Sequence, residues 1–290
     1  MNDNPADCTL RLADGRRLGY AEFGDPQGRP VLYFHGFPGS RLEARLADGA
    51  ARRQGVRLLA VDRPGYGLSD PLPARRLLDW PGDVAQFADA LGLAHFGVLG
   101  VSGGGPFALT CAAMLPGRIQ GFVLACPLGP LAEAACRPCQ PRLIRATIRF
   151  GRSFPGLIRL LGRQLARLVG SRPALILKLL SLAAPAVDRQ LLRQDEVRDV
   201  MLASGRQAFL QGRRGVACDM AIYAEVWGVD PAQISLPVTL WQGGKDRTIP
   251  PATAEWLAAR LCSCRLRLLP DEGHFSLLLR HMDQILAGIV

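Results

Sequence analysis

Leu99-Gly100-Val101-Ser102-Gly103-Gly104-Gly105 places a serine among glycines, directly after an apolar run and directly before a helix-like one. Phe96 to Val101 supplies the run of a buried strand, and Pro106 to Leu115 continues with Phe107, Ala108, Leu109, Cys111 and Ala112 as apolar helix faces. A serine on a tight strand-to-helix turn projects its hydroxyl off the sheet, and the amides that open the helix face any oxyanion formed there. Gly100 and Gly104 flank the turn where a side chain would strike the neighbouring strand or helix. With 32 glycines in 290 residues the G-x-S-x-G spacing is weak by itself, so the surrounding segments decide the reading.

Three further segments stand where such a serine needs them. His35-Gly36-Phe37-Pro38-Gly39 follows the strand-like Val31 to Phe34, and the Phe37 N–H, paired with the Gly103 N–H, is the expected oxyanion hole, with His35 and Gly36 as loop support. Gly243-Gly244-Lys245-Asp246 follows Val238 to Trp241 and presents Asp246 as the orienting acid, with Asp271 and Glu272 as alternatives. Asp271-Glu272-Gly273-His274 follows Arg265 to Leu269 and presents His274 as the general base. A plain turn or helix-cap serine is the blander reading of Ser102, and the register of these segments argues against it.

HGFPGSR at 35–41, DRPGYGLSD at 62–70, GVSGGGPFAL at 100–109, GGKDRTIP at 243–250 and GHFSL at 273–277 together resemble the α/β-hydrolase superfamily. The chain order Ser102, Asp246, His274 is that superfamily's order and not that of the chymotrypsin or subtilisin types. The resemblance runs from about Leu10 to Cys126 and again from Ile234 to the end. It implies a doubly wound, mostly parallel α/β sheet, with residues 1–126 and 232–290 as core and an inserted α-helical cap at 127–231. A serine at the elbow points to attack on a carbonyl and an acyl-enzyme, hence to a small, largely apolar carboxylic ester, thioester or lactone, with no cofactor and no metal. Epoxide opening and dehalogenation fall away, because the ether they would leave on a serine is not released by hydrolysis. C–C bond hydrolases, cofactor-free perhydrolases and ligand receptors of the same fold stay open as alternatives.

Apolar periods organise the rest of the chain. Thr9 to Leu12 and Arg17 to Phe23 read as an opening hairpin, Val31 to Phe34 and Arg57 to Val61 as strands, and Arg41 to Gln54 as the helix between them. Leu78 to Leu91 reads as a helix, Gly121 to Cys126 as a strand, and Ser276 to Ile289 as the final helix. From Pro127 a Leu/Arg-rich helical pattern takes over. Among the aromatic residues, Phe37, Trp80, Tyr223, Trp227 and Phe275 are candidates for the pocket wall, although aromatic residues more often belong to a core.

A hydrophobic content of 49% suffices for a large core and excludes disordered and fibrous classes. MNDNPADCTL has neither a basic n-region nor an apolar h-region, and no apolar run approaches 18 residues, so a cytoplasmic enzyme without a membrane span is expected. The formal charge of +10 comes almost wholly from arginine, since Lys178 and Lys245 are the lysines among 35 cations. Arg142, Arg145, Arg149, Arg152, Arg159, Arg163 and Arg167 recur at helical spacing. They read as the solvated outer face of the cap, with weak contact to an anionic membrane or an acidic acyl substrate as the alternative, and no nucleic-acid module is present. Of eight cysteines, Cys136-Arg-Pro-Cys139 and Cys262-Ser-Cys264 lie close; zinc spacing is lacking, and free thiols are expected, with a Cys136–Cys139 pair as the alternative.

Overall fold

A computed structural model of the chain describes residues 7–133, 136, 139, 164, 167 and 171–289. Its strands are β1 (Cys8–Arg11), β2 (Arg17–Gly24), β3 (Arg29–Phe34), β4 (Val56–Val61), β5 (Phe96–Val101), β6 (Ile119–Ala125), β7 (Val238–Gly243) and β8 (Cys264–Leu269). They form one sheet in the order β1-β2-β4-β3-β5-β6-β7-β8. β1 and β2 pair antiparallel, as do β2 and β4, and every pairing from β4 to β8 is parallel.

Period-two alternation sorts the strand residues onto two covered faces. Val31, Tyr33, Leu58, Ala60, Leu99 and Val101 pack against α1 (Asp48–Arg53) and the carboxyl-terminal helix. Leu32, Phe34, Leu59, Val61 and Val98 face α2 (Trp80–Ala90) and α3 (Gly105–Met114). Each such Leu, Val or Phe contributes about 1.5–3 kcal/mol by leaving water. Between β6 and β7 lie α4 (Pro173–Ala183), α5 (Ala186–Leu191), α6 (Asp195–Gln207) and α7 (Arg214–Ala224), the helical insertion that the sequence led us to expect. α8 (Pro251–Ala258) follows β7, and α9 (His274–Ala287) follows β8.

Helix boundaries differ from the periodicity in several places, and two of the differences have a visible cause. Residues 41–54 are a 3₁₀ segment, Arg41–Ala47, followed by α1 rather than one helix. Buried Asp62 takes both the Arg41 backbone N–H (2.7 Å) and its guanidinium (2.8 Å), which pins the first turn to the loop after β4. The final helix begins at His274, two residues before Ser276, for a reason that lies in its cap. Of the basic stretch, Arg142 to Arg163 lies outside the described residues, while Arg167 is exposed and donates to Gln164 at 3.1 Å. Cys139 is a free thiol, so the close spacing to Cys136 is not a disulfide here. No helix among the described residues is long and apolar enough to cross a membrane.

A buried ion cluster ties the insertion to the core. Asp219, on α7, accepts from Arg63 Nε (2.9 Å), from Arg75 and from the Tyr66 hydroxyl (2.8 Å), and it is fully buried. Burial works against this carboxylate, yet the guanidinium groups of Arg75 and Arg63 outweigh it and hold the acid below the ordinary carboxylate range. Removing the charge leaves two buried cations uncompensated, so Asp219→Asn should cost about 3–5 kcal/mol. Urea unfolding followed by far-UV circular dichroism checks this, through a lowered midpoint at an unchanged slope.

Candidate active site

Ser102 stands where β5 ends and a single 3₁₀ turn, Ser102–Gly104, leads into α3. Its φ of +51° is a left-handed conformation that a non-glycine residue holds only under constraint from its surroundings. The constraint is visible in the flanking glycines: a Cβ on Gly100 would lie 2.5 Å from the Ala108 Cβ, and one on Gly104 would lie 2.1 Å from the Phe34 carbonyl oxygen. Backbone packing therefore forces the serine outward at the end of the strand.

A hydrogen-bonded relay extends from it. Ser102 Oγ lies 3.1 Å from His274 Nε2, and His274 Nδ1 lies 2.7 Å from Asp246 Oδ2. Asp246 is itself fixed: Oδ1 accepts from the amides of Thr248 (2.8 Å) and Ile249 (2.9 Å), and Oδ2 accepts from Gln242 Nε2 (3.1 Å). Burial alone would raise this carboxyl, but His274 and the amide donors hold it below the usual range. The alternative acids are engaged elsewhere, Asp271 with Lys245 at 2.8 Å and Glu272 with His281 at 3.2 Å. Burial opposes charge on His274 too, yet the Asp246 carboxylate, helped by Asp188 and Glu43, raises its pKa above the ordinary 6.5.

Phe37 and Gly103 are adjacent, for a Cβ on Gly103 would lie 3.2 Å from the Phe37 nitrogen. The peptide that carries each N–H has its carbonyl held. Gly36 O accepts from Arg63 Nη2 (2.9 Å) and His35 Nδ1 (2.9 Å), and Ser102 O accepts from the Leu128 amide (2.9 Å). Donation to a peptide oxygen polarises the same peptide's N–H, so these contacts both aim and strengthen the two donors. His35 is neutral in this role: burial, with Arg63 beside it, pushes its imidazole well below the ordinary range, and Nε2 accepts from the Arg63 amide at 3.4 Å. The Tyr223 hydroxyl donates to Gly103 O at 2.8 Å, joining the elbow to the same cluster.

Asp188 carried no signal in the sequence and explains the early start of α9. Its carboxylate, on α5 of the insertion, accepts from the amides of His274 (2.8 Å), Phe275 (3.2 Å) and Ser276 (2.8 Å). It thus caps the helix from 86 residues away and fixes the backbone that carries the imidazole. Gly273 admits it, since a Cβ there would stand 2.4 Å from an Asp188 oxygen. Cys126 Sγ lies within 4.8 Å of the ligand atoms of Asp246 and His274. Burial pushes this thiol well above the ordinary thiol range, and the other two groups are already bonded to each other, so the trio is poorly suited to a metal.

Ser102 and His274 open onto a cavity of about 150 Å³ whose walls are largely apolar, including Leu46, Val101, Leu177, Leu180 and Met201. Of the five aromatic candidates for the pocket wall, Phe37 and Phe275 line the cavity, whereas Trp80, Tyr223 and Trp227 lie in the core, where aromatic residues more often belong.

Comparison with known proteins identifies the fold family. The family model described as alpha/beta hydrolase fold matches residues 29–280. A non-heme chloroperoxidase from Streptomyces lividans is 33% identical over 125 residues, 42% of this chain and 45% of that protein. The aligned part of the chain spans less than half the length of the curated relatives it matches. A bromoperoxidase from Bacillus anthracis superposes with a TM-score of 0.72 at 19% identity, covering 97% of this chain and 96% of that one. An esterase from Exiguobacterium antarcticum superposes with a TM-score of 0.67 at 19% identity and the same coverage. At such identities the likeness to the two solved structures is one of fold.

The chain has four histidines, so their imidazole C–H resonances are separable by NMR. Titration should place the His274 midpoint above 6.5. Asp188→Asn removes a charge that favours the imidazolium and should lower that midpoint by roughly 0.5–1 pH unit. An unmoved midpoint would reduce Asp188 to a helix cap.

Proposed function

The chain belongs to the alpha/beta hydrolase fold family, and from that membership we propose that it is a serine hydrolase cleaving a small, largely apolar carboxylic ester, thioester or lactone. The observation that carries this reading is the relay Ser102–His274–Asp246, at 3.1 and 2.7 Å, opening onto an apolar cavity. In this reading Ser102 Oγ attacks the ester carbonyl while His274 Nε2 takes its proton, and Asp246 holds the imidazole in the tautomer that can accept it. The tetrahedral oxyanion is received by the Phe37 and Gly103 amides, each such donor being worth about 10²–10³ in rate. Collapse transfers the proton to the leaving alkoxide and leaves an acyl ester on Ser102. Water, deprotonated by His274, then attacks that ester, releasing the acid and returning the proton to Ser102. Residues 127–231 act as the cap, and Leu177, Leu180 and Met201 from α4 and α6 form the apolar wall over the acyl or alcohol group.

The relatives named chloroperoxidase and bromoperoxidase favour one second reading. In it, hydrogen peroxide replaces water in the second step, and the product is a peracid rather than an acid.

Intact-mass analysis after treatment with a small fluorophosphonate tests both readings at their shared step. One adduct, mapped to Ser102 and absent in Ser102→Ala, is the expected result, with ester turnover falling by about 10⁴-fold or more in the variant. A folded protein that takes no adduct would overturn the assignment.

A further inference from the structure

Among the described residues, one carboxylic acid stands in the apolar walls of the cavity: Glu43, half-buried on the 3₁₀ segment after the Phe37 loop. Glu43 Oε1 accepts from the Tyr33 hydroxyl at 2.7 Å, and the Gly36 amide is shared between both oxygens at 3.2 Å each. Two donors thus serve a group with about four acceptor sites, and no lysine or arginine lines the cavity among the described residues. A carboxyl group set among apolar side chains is costly unless something pairs with it, and burial accordingly pushes the Glu43 carboxyl up. The same carboxyl is close to the chemistry. A Cβ on Gly36 would lie 3.2 Å from Glu43 Oε2 and 3.6 Å from the Ser102 Cβ, so acid and serine flank a single glycine.

Resting on the hydrolase reading above, we propose that Glu43 determines specificity by accepting a hydrogen bond from a donor group, a hydroxyl or an ammonium, that the substrate carries a few bonds from its scissile carbonyl. The apolar walls hold the carbon skeleton, and a donor on the substrate takes up the acceptor capacity that Tyr33 and Gly36 leave open. A role confined to anchoring the Gly36 amide would affect all substrates alike, whereas a recognition role acts on the ratio between matched substrates.

The test is therefore a ratio of kcat/KM values in the full chain and in Glu43→Gln and Glu43→Leu. Methyl 3-hydroxybutanoate against methyl 3-methylbutanoate exchanges a hydroxyl for a methyl on the acyl side, and 2-hydroxyethyl against propyl butanoate does so on the alcohol side. Methyl 3-aminobutanoate shows whether an ammonium is the preferred donor. The wild type should favour the donor-bearing ester on one side by about tenfold or more. That ratio should fall several-fold in Glu43→Gln and invert in Glu43→Leu; if the leucine variant does not fold, the glutamine variant carries the comparison. A wild type that prefers the methyl-bearing ester over both the hydroxyl- and the ammonium-bearing ones, or a ratio equal in wild type and variants, overturns the proposal. Failure of Ser102 to label with fluorophosphonate is the separate result that removes the hydrolase reading itself.

Discussion

Parallel pairing of β3, β5, β7 and β8 sends their carboxyl ends to one edge of the sheet, and the whole site hangs from that edge. The loop after β3 holds Phe37, the turn after β5 holds Ser102, the loop after β7 holds Asp246, and β8 leads to His274. No helix or loop has to travel far to bring these groups within hydrogen-bond reach, because the strand spacing has already done so. One cost of the arrangement falls on Ser102, whose positive φ is sustained by close backbone packing around Gly100 and Gly104.

A second layer of order comes from buried carboxylates of the helical insertion. Asp188 grips the amides that open α9, and Asp219 gathers Arg63 and Arg75, with Arg63 in turn gripping the carbonyls of His35 (2.5 Å) and Gly36 (2.9 Å). Both acids act on backbone that carries proposed catalytic groups, one on the imidazole side and the other on the oxyanion side. Insertion and core are therefore energetically one unit: loosening the insertion would release the constraints on both sides of the serine. The formal charge of +10 gives no hint of this, since the local field at His274 is set by three acids, Asp246, Asp188 and Glu43.

The motif DRPGYGLSD shows how far local reading reaches. It was recognisable as a segment, and the structure supplies what each part holds: Asp62 fixes Arg41, Arg63 supports the Phe37 loop, Tyr66 reaches Asp219, and Ser69 Oγ donates to the Asp62 carbonyl at 2.7 Å. Gly67, at φ +46°, lies so close to the Asp62 carboxylate that a Cβ would stand 1.9 Å from it. Nothing in the spacing of those nine residues says which distant side chains they serve.

What the sequence determined by itself was everything encoded at short range: the strand–turn–helix around Ser102, the alternation of apolar strands and helices, and the residues placed at strand ends. Hydrophobic period and glycine-bounded turns are local signals, and the order of strands and helices leaves few ways to pair a parallel sheet. The start of α9, the partners of Arg63 and the exposure of Glu43 to the cavity were decided only by tertiary structure. Each depends on a contact between side chain and backbone or between charges, and the partners lie 86 residues apart for Asp188 and His274 and 156 apart for Arg63 and Asp219. A lone aspartate within a polar helix has the same local pattern whether it faces water or caps a buried helix, and only the packing of the insertion onto the core separates the two.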